Sequence, residues 1–413
     1  MNALRLAAAL LLAASIASIA AMAPAFSAAA PAASRSIELF VLTLAAAGGA
    51  YLVLVPRLAA APLARRTAAG AFALGLALRA LFFTSTPILE DDWRRYLWEG
   101  AAIAAGVSPY DHPPAEGLAS PFEDAAGGAE ASDAKARLKA LGAGEPDYPE
   151  TVNHPYLATI YPPLAEAAFL TARLIAPFDL FAWRGVLFAA DLSTFFILAT
   201  ALGRRGLPRS RAFLYWLNPL VIFETFNAAH MEALVCPFLG AAMLFAQEKR
   251  AGLAGAMLAS AAGVKIWPIL LAPILARSFT ASPARFLRFC AVFSALAALF
   301  LAPLVLSLPD AASGLAAYAS DWRRNAFLFP MVEFALSSFS GDPDGAARRA
   351  VALVTIALGF SSRAGKTTAP CSRPSARSSS LRRSSSSAPL STPGMRSRSL
   401  RLRLLRRRRA CCF

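Results

Sequence analysis

The sequence predicts an all-α fold, a polytopic bundle of transmembrane helices. Three observations predict it. The 413 residues are 57% hydrophobic and only 16% charged, with a mean hydropathy of +0.51, whereas a soluble domain carries about 25% charged residues. The apolar residues come in long runs, many near the ~20 residues that a helix needs to cross a bilayer. The polar stretches between the runs are sorted by charge, basic in some and acidic in others. Together these exclude a secreted disulfide scaffold, a disordered chain and an ordinary cytosolic enzyme.

The net charge of +16 resembles a nucleic-acid signal, but its distribution excludes that partner. Of the 41 Lys and Arg, 14 lie in residues 361–413 beside no acid, which leaves 27 bases against 25 acids in the first 360 residues. Cys236 and Cys290 sit in apolar runs, and Cys371, Cys411 and Cys412 follow residue 360. Their spacing fits neither a metal site nor a disulfide framework.

The first apolar run spans residues 4–25. Arg5 at its start and Ala23-Pro24-Ala25 near its end fit both a cleaved signal peptide and an uncleaved anchor. Runs at 37–55 and 68–86 follow. Arg57, Arg65 and Arg66 place the loop between them in the cytoplasm by the positive-inside rule. The long loop at about 87–157 is then extracytoplasmic, and it holds 13 of the 25 acids against five bases. Its middle, 117–147, is Ala/Gly/Glu-rich and reads as an insert; its ends are rich in aromatic, Pro and charged residues.

Further apolar segments lie at 158–176, 185–202, 212–226, 231–247, 251–276, 289–308 and 348–360. Arg204, Arg205, Arg209 and Arg211 make 203–211 cytoplasmic. Either 158–176 is then re-entrant or interfacial, which Tyr161-Pro162-Pro163 at its start favours, or the positive-inside rule fails at this loop. Residues 361–413 hold 14 Ser among their 53 residues and no apolar periodicity. They read either as a basic disordered tail touching anionic lipid or as an out-of-frame translation. The apolar run 350–360 breaks off too short to cross a bilayer, which favours the second. The expected division is thus a membrane domain over 1–360, truncated at its C-terminal end, and a separate tail over 361–413.

Several clusters carry possible chemistry. Glu90-Asp91-Asp92-Trp93-Arg94-Arg95-Tyr96 follows the third run. Paired carboxylates there can take a proton from a hydroxyl or hold a metal; acids in a first helical turn equally suit the helix dipole. Gly106-Val107-Ser108-Pro109-Tyr110 reads as a turn. Asn153-His154-Pro155-Tyr156 and Thr159-Ile160-Tyr161-Pro162-Pro163 return the loop to the membrane, where aromatics commonly form an interfacial belt. Asn218-Pro219, Glu224, Asn227, His230 and Glu232 form a polar patch whose His and Glu, two residues apart, make a weak metal motif. Lys265 lies within the apolar run 251–276, at an insertion cost of about 2.5–3.5 kcal/mol unless it sits at a turn or meets an anion such as phosphate. Glu166 and Asp191 are further charges in apolar segments, and Asp191 can be met by a nearby Arg. Arg323 and Arg324, beside Asn325, run against the charge bias of an outer loop and call for an anionic partner. By alternation, the acids, the His/Glu patch, the Lys and the Arg pair fall on one membrane face.

This ordered set resembles the polytopic glycosyltransferases of the GT-C fold that use a polyprenyl-phosphate sugar. Asp91 to Gly100, Gly106 to Tyr110, Asn153-His154-Pro155 and Ile160-Tyr161-Pro162-Pro163 resemble the first outer loop of bacterial polyprenyl-phosphomannose-dependent mannosyltransferases. The Gly-x-Ser-Pro-Tyr and Tyr-Pro-Pro pieces are also similar to the catalytic subunit of the GPI mannosyltransferase. Trp216-Leu217-Asn218-Pro219, His230-Met231-Glu232 and Lys265-Ile266-Trp267-Pro268 match later positions.

The resemblance implies a GT-C-like bundle with a long extracytoplasmic catalytic loop in a bacterial inner membrane. It implies an inverting transfer of a hexose, mannose by the family pattern, from a polyprenyl-phosphate donor to a lipid or glycan acceptor. Asp91 or Asp92 would be the general base, and Lys265 or Arg323 and Arg324 would meet the donor phosphate. Arg95, Tyr96, Tyr110, His154, Tyr161, His230, Glu232 and Asn325 would line the substrates. Some such enzymes use Mg2+ or Mn2+ and others none, so the metal stays open. Glu232 stands where the family pattern has Asp, and family members continue with further spans where this chain turns to Arg and Ser. A transporter or flippase of an anionic or lipid-linked substrate is the competing class, though it would show internal repeats and mid-membrane charges; an inactive remnant is the third reading.

Overall fold

The computed structural model describes residues 3–27, 30–118, 129–144, 148–310, 312–321 and 327–361. The chain divides into two units, Met1–Ala364 and Gly365–Phe413, and every described residue belongs to the first. Arg323, Arg324 and Asn325, and the tail from residue 362 on, lie outside the described residues.

The described secondary structure is helical, without a strand. Helix α1 (Ala3–Met22) runs on through a short turn to Phe26 and packs along α2 (Ile37–Ala59). Helix α3 (Arg65–Ala80) begins ahead of the apolar run 68–86 and ends before it does, because the chain turns at 81–85. The long loop holds α4 (Asp92–Ala104), α5 (Ala129–Gly144) and the single turn α6 (Tyr148–Thr151). Helix α7 (Pro163–Ile175) begins where Pro162-Pro163 supply the fixed φ of a helix start. Its 13 residues are too few to cross a bilayer, in line with the re-entrant or interfacial expectation for 158–176.

Helix α8 (Leu180–Arg204) is capped by Asp179, whose carboxylate accepts from Phe181 N–H at 2.6 Å. The next apolar runs are broken. The turns α9 (Phe213–Trp216) and α10 (Pro219–Ile222) meet at Asn218, which caps the second through Leu220 N–H at 2.9 Å. A wide turn at Phe223–Asn227 then bends by 110° into the segment containing α11 (Val235–Gln247). Helix α12 (Ala251–Val264) ends where Lys265 becomes extended, and α13 (Ala272–Ala276) follows. Helix α14 (Pro283–Leu306) packs along α12, and α15 (Gly314–Asp321), α16 (Phe329–Leu336) and α17 (Pro343–Ser361) complete the described chain. Among the described residues, four helices are long and apolar enough to span a membrane, Ala3–Phe26, α2, α8 and α14, and the bent pair makes up to five.

The apolar core between α1, α2, α3 and α8 contains one charged centre. Arg79 of α3 donates to Asp191 of α8 through Nε at 2.6 Å and through a terminal nitrogen at 3.2 Å. Its other terminal nitrogen donates to Gly75 O and Trp216 O, and its carbon lies 3.6 Å over the Trp216 ring. Tyr215 completes the shell by donating to Asp191 at 2.7 Å. Both charges are buried, so removing one leaves the other unpaired. Asp191→Ala is expected to lower stability by about 3–5 kcal/mol, read as a fall in unfolding midpoint of the detergent-solubilised protein. The double variant Arg79→Met with Asp191→Leu should recover most of the loss.

Candidate functional site

The segment that carries the paired acids is fixed from below by two buried side chains. Arg184 of α8 donates to Phe83 O at 2.9 Å, Ser85 O at 2.8 Å and Asn227 O at 3.1 Å. Asn227 donates to Ser85 Oγ and Thr86 O, both at 3.1 Å, and accepts from Ile88 N–H at 2.9 Å. The turn after α3 is therefore locked before it reaches Glu90. Leu89 then adopts φ 58°, a conformation that few non-glycine residues take. Glu90 Oε1 accepts from the N–H groups of Asp91 and Asp92 at 3.2 Å each, so it caps α4 and leaves both aspartate side chains free for other partners.

The returning limb of the loop is drawn onto α4 by Arg95. Its terminal nitrogens donate to Asn153 O, His154 O and Leu157 O at 3.1, 3.1 and 2.7 Å, and Nε donates to Glu99 at 2.7 Å. Asn153 Nδ2 then donates to Asp91 Oδ1 at 3.3 Å and to Asp92 Oδ1 at 3.1 Å. Helix α4 approaches α7 so closely that a Cβ on Gly100 would meet Phe169 O at 2.4 Å. Only glycine allows that approach, and it lets Tyr96 stack on Phe169 with ring centroids 4.7 Å apart.

The bend after Asn227 delivers the third piece. Ala229 adopts φ 59° and His230 follows it. The imidazole is held between two carboxylates, Nε2 at 2.9 Å from Glu90 and Nδ1 at 2.8 Å from Glu224. Burial works against its charge, but the hydrogen bonds to Glu224 and Glu90 and the surrounding negative charge push its pKa up to about 10. Glu90 is held below its ordinary range: burial opposes this, and the hydrogen bond and charge of His230 outweigh it. Three of the five described non-glycine residues with positive φ, Leu89, His154 and Ala229, border this site. Such backbone costs on the order of 1–3 kcal/mol each and gathers at functional sites.

These pieces enclose a cavity of about 640 Å3, within the ~300–1,000 Å3 of small-molecule sites. Asp92, Tyr96, His154, Tyr161, His230, Glu232 and Lys265 line it. Asp92 is partly buried and Asp91 exposed. Burial raises the Asp92 carboxyl above its ordinary range, the Glu90 charge adds to this, and the Asn153 hydrogen bond offsets part of it. Lys265, at the C-terminal end of α12, pairs with Glu232 across the cavity wall, both half-exposed.

Two expected substrate residues stand differently. Arg95 reaches the cavity wall, but its donors are taken up by Glu99 and the three carbonyls. Tyr110 sits behind the wall, donating to Tyr161 O at 3.0 Å. Asn153, Trp267 and Tyr318 also line the cavity, and Glu90 and Glu224 hold His230, although none stood among the expected site residues. Glu90, Asn153, Glu224 and Trp267 lie within the quoted motifs but carried no assigned substrate role, and Tyr318 carried no signal.

Glu90, Asp92 and His230 offer three ligand atoms within 4.8 Å of one another. Two carboxylates and an imidazole suit Mn2+ better than Mg2+, which prefers oxygen shells. A metal there would have to displace the proton that His230 holds between its two glutamates, so binding would release a proton.

Residues 170–281 match the family model described as alpha-(1->6)-mannopyranosyltransferase, N-terminal domain, of the MptA_B family. No curated protein and no solved structure matches the chain. The matched stretch runs from within α7 to the turn after α13 and carries Arg184, Asp191, Asn227, His230, Glu232 and Lys265. That match supports the family read from the sequence motifs, the GT-C type mannosyltransferases.

Proposed function

We propose that the protein transfers a mannosyl residue from a polyprenyl-phosphate donor to an acceptor hydroxyl at the extracytoplasmic face of a bacterial inner membrane, with inversion. The observation that carries this is the cavity itself. It brings together a partly buried carboxylate with a raised pKa, Asp92, and a lysine at the broken end of an apolar helix, Lys265.

The reaction needs a base and a cation. Asp92 accepts the proton of the acceptor hydroxyl as its oxygen forms the new bond to the anomeric carbon. The bond from that carbon to the phosphate oxygen breaks, and the phosphate leaves with the electron pair. Charge grows on that leaving group in the transition state, and Lys265 faces it once Glu232 gives way. A single displacement inverts the anomeric centre. His230 is a fixed positive charge in the wall, and through Glu90 it is tied to the same segment as Asp92. A metal held by Glu90, Asp92 and His230 would supply further positive charge.

Asp92→Asn is expected to lower kcat/KM for sugar transfer by about 10^2–10^4, whereas Asp91→Asn, on the exposed side, should cost far less. Equal transfer by wild type and Asp92→Asn would remove Asp92 as the base. Lys265→Met should act mainly on the donor, raising its KM and lowering kcat, with the acceptor KM unchanged. The base must be ionised, so kcat/KM should rise with pH along a limb above the ~3.9 of an ordinary aspartate. Asn153→Ala removes a donor that favours the charged carboxylate, so its limb should move to higher pH.

A further inference from the structure

Behind the cavity wall, two carboxyl groups share one hydroxyl. Thr159 Oγ1 lies 2.8 Å from Glu166 Oε1 and 3.1 Å from Glu99 Oε2, and Tyr161 N–H donates to the same oxygen at 3.0 Å. All three side chains that meet here, Thr159, Glu99 and Glu166, are buried. A hydroxyl carries one proton and two lone pairs. Tyr161 N–H takes one lone pair, and the hydroxyl proton serves one carboxylate. The contact to the second carboxyl is a hydrogen bond only if that carboxyl brings its own proton to the remaining lone pair.

The charges decide which one does. Arg95 donates to Glu99 at 2.7 Å, so Glu99 is the ionised partner. Glu166 has no ion pair among the described residues, and its Oε2 is buried without a hydrogen-bond partner. An unpaired buried carboxylate oxygen is far more costly than a neutral carbonyl oxygen. Glu99 and Arg95 of α4, with Thr159, Tyr161 and Tyr110 of the loop, are the titratable and polar groups that face Glu166. On the side of α8 and α12, Trp183, Leu187, Ala261 and Val264 share one apolar cluster with Ala165, Phe169 and Ala172 of α7. Burial and the Glu99 charge both push the Glu166 carboxyl well above its ordinary range.

We propose that Glu166 is held as a neutral acid whose O–H, passing through Thr159 to Glu99 and Arg95, positions the cavity-forming limb 153–161. Glu166 is thus a positioning residue. Its proton fills the last place on Thr159, Thr159 donates to Glu99, Glu99 orients Arg95, and Arg95 holds the carbonyls of residues 153, 154 and 157. Losing that proton puts a second negative charge beside Glu99 with one guanidinium to serve both. The sign follows from the raised pKa. The stabilisation is complete below the unfolded-state pKa of a glutamate and is lost as pH rises through the folded-state value.

Infrared spectroscopy of the purified protein tests the protonation without reference to catalysis. The expected result is a carboxylic-acid C=O band at neutral pH that disappears on alkaline titration, is missing in Glu166→Gln and is displaced in Thr159→Val. A band that survives Glu166→Gln, or that Glu99→Gln removes instead, overturns the proposal. Absence of any such band from the wild-type protein at neutral pH does so even if the variants fail to fold. The consequence for transfer rests on the function proposed above. Wild-type kcat/KM should fall on the alkaline side as Glu166 ionises, and Glu166→Gln, whose amide N–H can still donate to Thr159, should lack that fall. An alkaline fall of equal size in Glu166→Gln overturns the positioning role. Protein that shows the Glu166 band but transfers no sugar contradicts the function and leaves the protonation standing.

Discussion

One guanidinium decides whether the cavity exists. The long loop leaves the bundle after α3 and returns about seventy residues later, and loop closure over that distance has to be offset by specific contacts. Arg95 supplies them by gathering the carbonyls of residues 153, 154 and 157 onto α4. It is buried, so it must be neutralised where it stands, and Glu99 one turn away does this. The consequences run outward. Asn153 is delivered to the two aspartates, Tyr161 is delivered to the wall, and His154 is held at φ 51°.

The same constraint recurs across the bundle. An apolar helical interior tolerates a charge only when its partners are built in. Arg79 has Asp191, two carbonyls and an indole face; Arg184 has the carbonyls that lock the turn before Glu90. His230 has a glutamate on each nitrogen. Lys265 differs, since its partner Glu232 is half-exposed at the cavity and can yield to another anion. The function proposed above needs a lysine whose counter-ion can be exchanged, whereas the buried arginines with fixed partners are framework.

The helical class was legible because apolar runs of bilayer length are a strong signal, and α2, α8 and α14 fall on three of them. The breaks were legible only where proline marks them, as at Pro162-Pro163. The 110° bend after Asn227 has no Gly or Pro in Ala228-Ala229-His230; Ala229 takes positive φ where the peptide that follows it is held at both ends, Trp183 Nε1 donating to Ala229 O and His230 N–H donating to Glu224 O. In the site, Asp92, His230, Glu232 and Lys265 announced themselves as polar residues beside apolar runs. Their pairing did not, because Glu90 meets His230 and Asn153 meets Asp92 across distances along the chain that no local pattern reports. Glu166 read as a stray membrane charge, since its meaning depends on a threonine and a glutamate brought to it by the fold.

In the function proposed above, this cavity handles a sugar carried on a lipid phosphate. It is tested most directly with the purified protein in liposomes, supplied with an acceptor and either polyprenyl-phosphate mannose or a nucleotide mannose. Transfer from the lipid-linked donor and none from the nucleotide sugar is the expected result. Transfer from the nucleotide sugar, or movement of the lipid-linked sugar across the bilayer with its phosphate bond intact, would contradict it.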